Sequence, residues 1–95
     1  MKGDLLNGIK IVDFTTYAAA PCSARILADW GADVIKVEGA SGDPMRGFGV
    51  NMAQTPYTDD ENPVWEYENG NKRGIVLDLK NPKGMEAMHK LLSEA

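Results

Sequence analysis

Cysteine, histidine and long apolar runs are what these 95 residues have least of. Cys22 is the one cysteine, so no intrachain disulfide framework is possible, and a reducing, cytoplasmic setting is the simple expectation. His89 is the one histidine; with Cys22 alone to join it, a Cys/His metal centre has no ligand set and a Ser-His-Asp triad cannot be assembled with any assurance. Nothing approaches the roughly 18 consecutive apolar residues that a membrane span needs, and Met1–Gly8 has no apolar stretch of signal-peptide length. Positive charge is also in short supply: 10 basic against 14 acidic residues give a net charge of −4. A general nucleic-acid binder shows the opposite balance. An anionic ligand would have to be held locally, by individual cations or backbone N–H groups.

What is present is the composition of an ordinary globular chain, 43% hydrophobic and 25% charged, which excludes disorder as the default. The length suits one small domain with a modest core. Leu91-Leu92-Ser93-Glu94-Ala95 stops within a good helical pattern, which a finished domain rarely does.

Ile9–Phe14 is short, β-branched and bounded by Gly8, and reads as a strand central in a parallel sheet. Pro21 suits the first turn of a helix. Cys22, Ile26, Leu27 and Trp30 then recur at helical spacing, with Arg25 and Asp29 on other faces and Gly31 as the C′ stop. Asp33–Glu38 is a second strand, completing a βαβ unit. Gly39–Glu61, rich in glycine and proline, reads as an irregular loop, longer than the about 12–15 residues at which loops become functional or mobile. For 62–70, a hairpin turn at Asn69-Gly70 competes with a short helix that has Asn62 as cap, Pro63 at N1 and Gly70 at C′; the helix is favoured. Gly74–Leu79 is a third strand. Asn81-Pro82 opens a last helix whose apolar stripe is Met85, Met88, Leu91 and Leu92. The order β-α-β-loop-α-β-α predicts the α/β class, a Rossmann-type open parallel sheet.

Open α/β sheets bind ligands beyond the C-terminal ends of their strands, here Thr15–Ala20, Glu38–Gly42 and Asp78–Lys80. Ala18-Ala19-Ala20 would let a ligand approach the backbone at a helix N-terminus, although small residues at such a turn also simply pack helix on sheet. Glu38 stands 20 positions after Ala18, where a dinucleotide fold places the acid for a ribose hydroxyl. The Gly-x-Gly-x-x-Gly fingerprint is missing, however, and a solvated glutamate is the plainer reading. Lys72, Arg73, Lys80 and Lys83 form a basic cluster. Of these Lys80 points to the crevice and suits a phosphate, whereas Lys72 and Lys83 read as a solvated face. Asp59-Asp60-Glu61 reads as a solvated acidic turn, Cys22 as a small buried residue, and His89 as lying on the flank of the last helix.

Four collinear segments together resemble family III CoA-transferases, the formyl-CoA and carnitine CoA-transferase group. They are Leu6–Thr15, Ala20-Pro21 with Leu27–Glu38, Gly42–Gly47, and Asn71–Lys80. Tyr17–Pro21 and Thr58–Pro63 look most like clostridial members acting on 2-hydroxy acids. The resemblance implies that residues 1–95 are the N-terminal part of a large CoA-binding, Rossmann-type domain. It implies CoA transfer from an acyl-CoA to a free carboxylic acid through an aspartyl intermediate, with coenzyme A as substrate and no prosthetic group. The nucleophilic aspartate would lie beyond Ala95, leaving this segment inactive alone. Ala18 and Ala19 would line CoA after the first strand, and Leu77, Asp78, Leu79 and Lys80 after the third. Ala18 stands in place of a glutamine, and Gly39 in place of an arginine, found in the formyl type. An interlocked homodimer is also implied. The competing reading is a nucleotide-binding piece of an NAD-dependent oxidoreductase, resting on the βαβ unit and Glu38; a third is a half-sheet with no ligand.

Overall fold

A computed structural model describes residues 3–17, 19–46 and 63–95. Strand β1 (Lys10–Asp13) leads to helix α1 (Ala19–Asp29) and strand β2 (Asp33–Glu38). Helix α2 (Pro63–Asn69), strand β3 (Arg73–Val76) and helix α3 (Pro82–Glu94) follow. The strands form one parallel sheet in the order β1-β2-β3, with Val12 opposite Ile35 and Val37 opposite Ile75. The α/β class and the order of elements are as expected. The place of β1 is not: β2 is the middle strand and β1 lies at the edge among the described residues, because both neighbours pair with β2.

Strand alternation sorts the core into two layers. Ile11 and Val34 pack with Ala24, Ala28 and Ala32 on the α1 side. Val12, Ile35 and Val37 face the other way and pack with Leu77, Met88 and Leu91 beneath α3. The buried face of α1 is therefore Pro21, Ala24 and Ala28. The larger Ile26, Leu27 and Trp30, which carry the helical periodicity, stay exposed. Small side chains let the helix lie close to the sheet, and the bulky ones are left on its flanks.

Turn chemistry places the ends of the helices. α1 begins at Ala19, two residues before Pro21. It ends in a Schellman motif: Gly31 N–H donates to Ala28 O at 3.0 Å and Ala32 N–H to Leu27 O at 3.1 Å, with Gly31 at φ 107°. The N-terminal segment caps the same end, since Leu6 N–H donates to Trp30 O at 2.8 Å. After α2 the left-handed residue is Asn71 (φ 62°), not Gly70, as its side chain reaches Asp29 Oδ1 at 2.6 Å. The space beside Gly70 is filled by the Arg25 guanidinium, which donates to Tyr67 O at 2.6 Å. β3 starts at Arg73 and ends at Val76, three residues short of the expected Leu79. The chain leaves the sheet because Asp78 Oδ1 accepts from Lys80 N–H and Asp78 O from Asn81 N–H, both at 3.0 Å. Asn81 then caps α3 through Lys83 N–H at 2.9 Å, with Pro82 in the first turn as the sequence indicates. The expected cap Asn62, the loop beyond Arg46 and the acidic Asp59-Asp60-Glu61 lie outside the described residues.

Gly31→Ala should destabilise the fold by about 1–3 kcal/mol, from a left-handed backbone and a Cβ forced to 2.7 Å from Gly3 O. Gly74→Ala, whose Cβ meets nothing within 4 Å, is the control and should be nearly neutral. Urea unfolding of the natural full-length protein compares them; equal stabilities would contradict the C-cap assignment.

Candidate functional site

Three parallel strands ending together leave a crevice at their C-terminal edge. A cavity of about 580 Å³ lies there, lined by Phe14 and Thr16 after β1, Gly39–Ser41 after β2, and Leu77–Lys80 after β3. That volume is in the range that takes a small ligand or part of a large one. Leu77, Asp78, Leu79 and Lys80 lie together on one wall of it, with Leu77 buried, Leu79 half-buried, and Asp78 and Lys80 exposed. Gly84 lets α3 close on this turn, since a Cβ there would strike the Asp78 carbonyl. Ala19, the exposed first residue of α1, is not part of the lining; Phe14 and Thr16 hold that side. Ala18 lies outside the described residues. Another hollow of about 360 Å³ is lined by Ile11, Val12, Ile35, Ile75 and Leu91, and by Lys10 and Arg73 at the strand starts. It is an apolar sheet face away from the strand ends.

Beside the cavity is a cluster of buried charges. On the α1 face, β1 ends in Asp13, and β2 follows Val34 with Lys36 and Glu38. Lys72, its side chain 2% exposed, donates through Nζ to Asp13 Oδ2 at 2.7 Å, to Pro21 O at 2.8 Å and to Asn69 Oδ1 at 2.8 Å. Asp13 Oδ1 accepts from Thr15 N–H at 3.1 Å and also from the Thr15 hydroxyl. Lys36 Nζ donates to Asp43 Oδ2 at 2.8 Å and to Thr15 O at 2.6 Å. Asp43 Oδ1 accepts from Tyr17 N–H at 3.1 Å and Met45 N–H at 2.9 Å. Glu38 takes Arg46 on both oxygens, at 2.8 and 2.6 Å, and Asp43 N–H at 2.7 Å. Trp65 of α2 covers the group, its ring centre 4.0 Å from the Arg46 guanidinium and 5.8 Å from Lys36 Nζ.

Electrostatics follow from burial and pairing. Arg46 holds the Glu38 carboxyl below its usual range against desolvation. Desolvation pushes Asp43 up, but Lys36 and the Met45 and Tyr17 amides more than offset it, and its net shift is downward. Burial pulls the Lys72 ammonium down more strongly than Asp13 raises it. Glu68 on α2 is also buried, and its Oε2 has no hydrogen-bond partner among the described residues. Desolvation and then Asp43 raise its pKa, opposed by Lys36 and Lys72.

Several of these side chains reverse expectations from sequence. Lys72 and Glu38 were expected in solvent, yet Glu38 and the side chain of Lys72 are buried; only Lys83 of the two discounted lysines is exposed. Lys36, Asp43 and Asp13 were not singled out at all. The available signal was Lys36 itself: a lysine within a strand covered on both faces must be buried and therefore paired. Glu38, with both oxygens engaged and 6% exposed, is not free for a ribose hydroxyl, so of the two supports of the dehydrogenase reading only the βαβ unit stands, and that reading is not favoured. Cys22 is half-buried and His89 exposed. Among the described residues no group of three metal-ligating side chains occurs, and no helix is long and apolar enough to cross a membrane.

An open parallel sheet with a ligand-sized cavity at its strand ends defines an α/β ligand-binding architecture. The comparisons specify it further. The profile of CoA-transferase family III matches residues 6–95, and the chain belongs to that family. It is 50% identical to the (R)-2-hydroxy-4-methylpentanoate CoA-transferase of Clostridioides difficile, over 96% of this chain and 23% of that protein. It is 39% identical to the cinnamoyl-CoA:phenyllactate CoA-transferase of Clostridium sporogenes, over 97% of this chain and 22% of that one. A solved CAIB/BAIF family protein from Brucella suis superposes with a TM-score of 0.81 at 32% identity, covering 95% of this chain and 24% of that structure. The chain thus spans under a quarter of the length of these relatives.

Two measurements check the buried cluster. Lys72→Met leaves Asp13 buried without its counter-charge and should cost about 3–5 kcal/mol in urea unfolding at neutral pH. A loss within ~1 kcal/mol, the size of a surface pair, would contradict the burial of this pair. Glu68 titrates higher when folded than when unfolded, so the folded state binds the extra proton. Stability should fall as pH rises from the unfolded carboxyl pKa through the raised folded one, and stay reduced above it. Glu68→Gln should flatten that fall and leave the variant more stable than wild type at neutral pH. Parallel pH profiles for the two proteins would exclude this role.

Proposed function

We propose that this chain forms part of the coenzyme A site of an enzyme that moves CoA from an acyl-CoA to a free carboxylic acid. The observation that carries the reading is the cavity joining Thr16, Gly39–Ser41 and Leu77–Lys80 in a chain of this family. Coenzyme A is the substrate carrier, with no prosthetic group. The 50% identity with a 2-hydroxy-4-methylpentanoate enzyme favours a branched 2-hydroxy acid as acceptor. Residues 1–95 act as the N-terminal part of the large CoA-binding domain. A cytoplasmic homodimer fits the family resemblance and a lone cysteine without a disulfide partner.

The contribution of these residues is binding, not covalent chemistry. A thioester-attacking carboxylate must be exposed and uncommitted. Asp13 and Asp43 are buried with both oxygens in hydrogen bonds. Neither is free to attack a thioester, and the family resemblance implies that the aspartyl intermediate forms on an aspartate outside this segment. Lys80, exposed on the cavity wall in a chain of net charge −4, supplies a local cation for a phosphate. Leu77 and Leu79 offer an apolar surface to the pantetheine arm.

Lys80→Ala in the natural full-length protein should weaken CoA binding by roughly three- to tenfold at low ionic strength, with the difference shrinking as salt screens the contact. Calorimetric titration of CoA at two salt concentrations reads this. Unchanged affinity at low salt would remove Lys80 from the site, and failure of the wild type to bind CoA would overturn the functional reading.

A further inference from the structure

We propose that the buried Lys36–Asp43 pair is a positioning device for the strand-end cavity: it fixes the backbone of Thr15–Tyr17, and through it the β1-side wall. The inference rests on the reading of that cavity as the CoA site. Thr16, a lining residue, sits between two residues that the pair holds by their main chain. Lys36 Nζ donates to the Thr15 carbonyl at 2.6 Å, and Asp43 Oδ1 accepts from the Tyr17 amide at 3.1 Å. Tyr17 has φ 64°, a conformation rare for a bulky residue and one that persists only when the surroundings impose it. The pair itself is shut away from water, with side chains 3% and 1% exposed.

The second wall is tied to the same pair. Ala40 and Ser41 lie in the turn between Glu38 and Asp43, closed by Gly42 N–H to Gly39 O at 3.0 Å and by Asp43 N–H to Glu38 Oε2 at 2.7 Å. Asp43 thus ends one wall while its carboxylate holds the other. Neither Lys36 nor Asp43 lines the cavity, so both act through backbone they fix rather than by touching a ligand.

A buried pair replaced by apolar residues of similar volume often leaves stability intact, whereas losing one partner is costly. That separates positioning from mere structure. The double variant Lys36→Met/Asp43→Leu should remain folded yet lose at least about tenfold in CoA affinity, because Thr15 and Tyr17 lose their anchors. Lys36→Arg, which keeps charge and donors, should keep affinity close to wild type. Calorimetry of the natural full-length protein with CoA, well below the unfolding temperature of each variant, gives these values. Amide exchange gives a readout independent of ligand: Tyr17 N–H should be protected in the wild type and exposed in the double variant, while β2 amides stay protected. A folded double variant that binds CoA like wild type, or one with Tyr17 still protected, overturns the inference. If the wild type does not bind CoA, the functional reading fails by itself, and Tyr17 exchange still decides whether the pair holds this turn. Should the double variant not fold, Tyr17 N–H exchange in the wild type decides: protection comparable to the β2 amides supports the inference, and exchange at the rate of a free amide overturns it.

Discussion

The geometry of the strand ends depends on two lysines whose side chains are buried. Lys36 and Lys72 each cost several kcal/mol to desolvate unless a carboxylate and further acceptors surround them. The chain meets that demand with Asp43 and Asp13, and with further main-chain or amide oxygens at Thr15, Pro21 and Asn69. Those acceptors belong to the β1–α1 turn, the first turn of α1 and the end of α2. Satisfying two lysines therefore fixes where three segments meet, and α2 closes over the result with Trp65 and Glu68.

This arrangement separates rigidity from ligand contact. The ion pairs lie on the α1 face of the sheet, while the cavity opens at the strand ends and takes its apolar wall from the α3 side, at Leu77 and Leu79. Side chains that set the geometry are thus shielded from the ligand that would use it. Sites placed on loops gain precision this way, because the loops are anchored by groups whose alternatives are expensive. The acidity of the whole chain does not conflict with an anionic ligand, since Lys80 supplies charge at the cavity itself.

How much of this was readable from sequence varies by feature. β-branched runs, Pro21, Gly31 and Asn81-Pro82 marked the elements and several of their ends, because those signals are local. The position of β1 at the edge among the described strands was not readable, since pairing order depends on contacts distant in sequence. Helical spacing in α1 pointed to Ile26 and Trp30, but close packing on a sheet selected Ala24 and Ala28 instead. Of the residues expected around the ligand, Leu77–Lys80 meet at the cavity and Ala19 does not line it. The buried charges were hardest: Lys72 reads as a surface lysine, and its partner lies 59 positions away. Lys36, in the middle of a covered strand, was the one whose local context already required a buried counter-charge.

The most direct test is the structure of the natural full-length protein with coenzyme A bound. The CoA chain should lie in the strand-end cavity, against Thr16 and Leu77–Lys80, with a phosphate near Lys80 and the Lys36–Asp43 pair intact behind it. CoA ordered elsewhere on the molecule, with this cavity left empty, would contradict it.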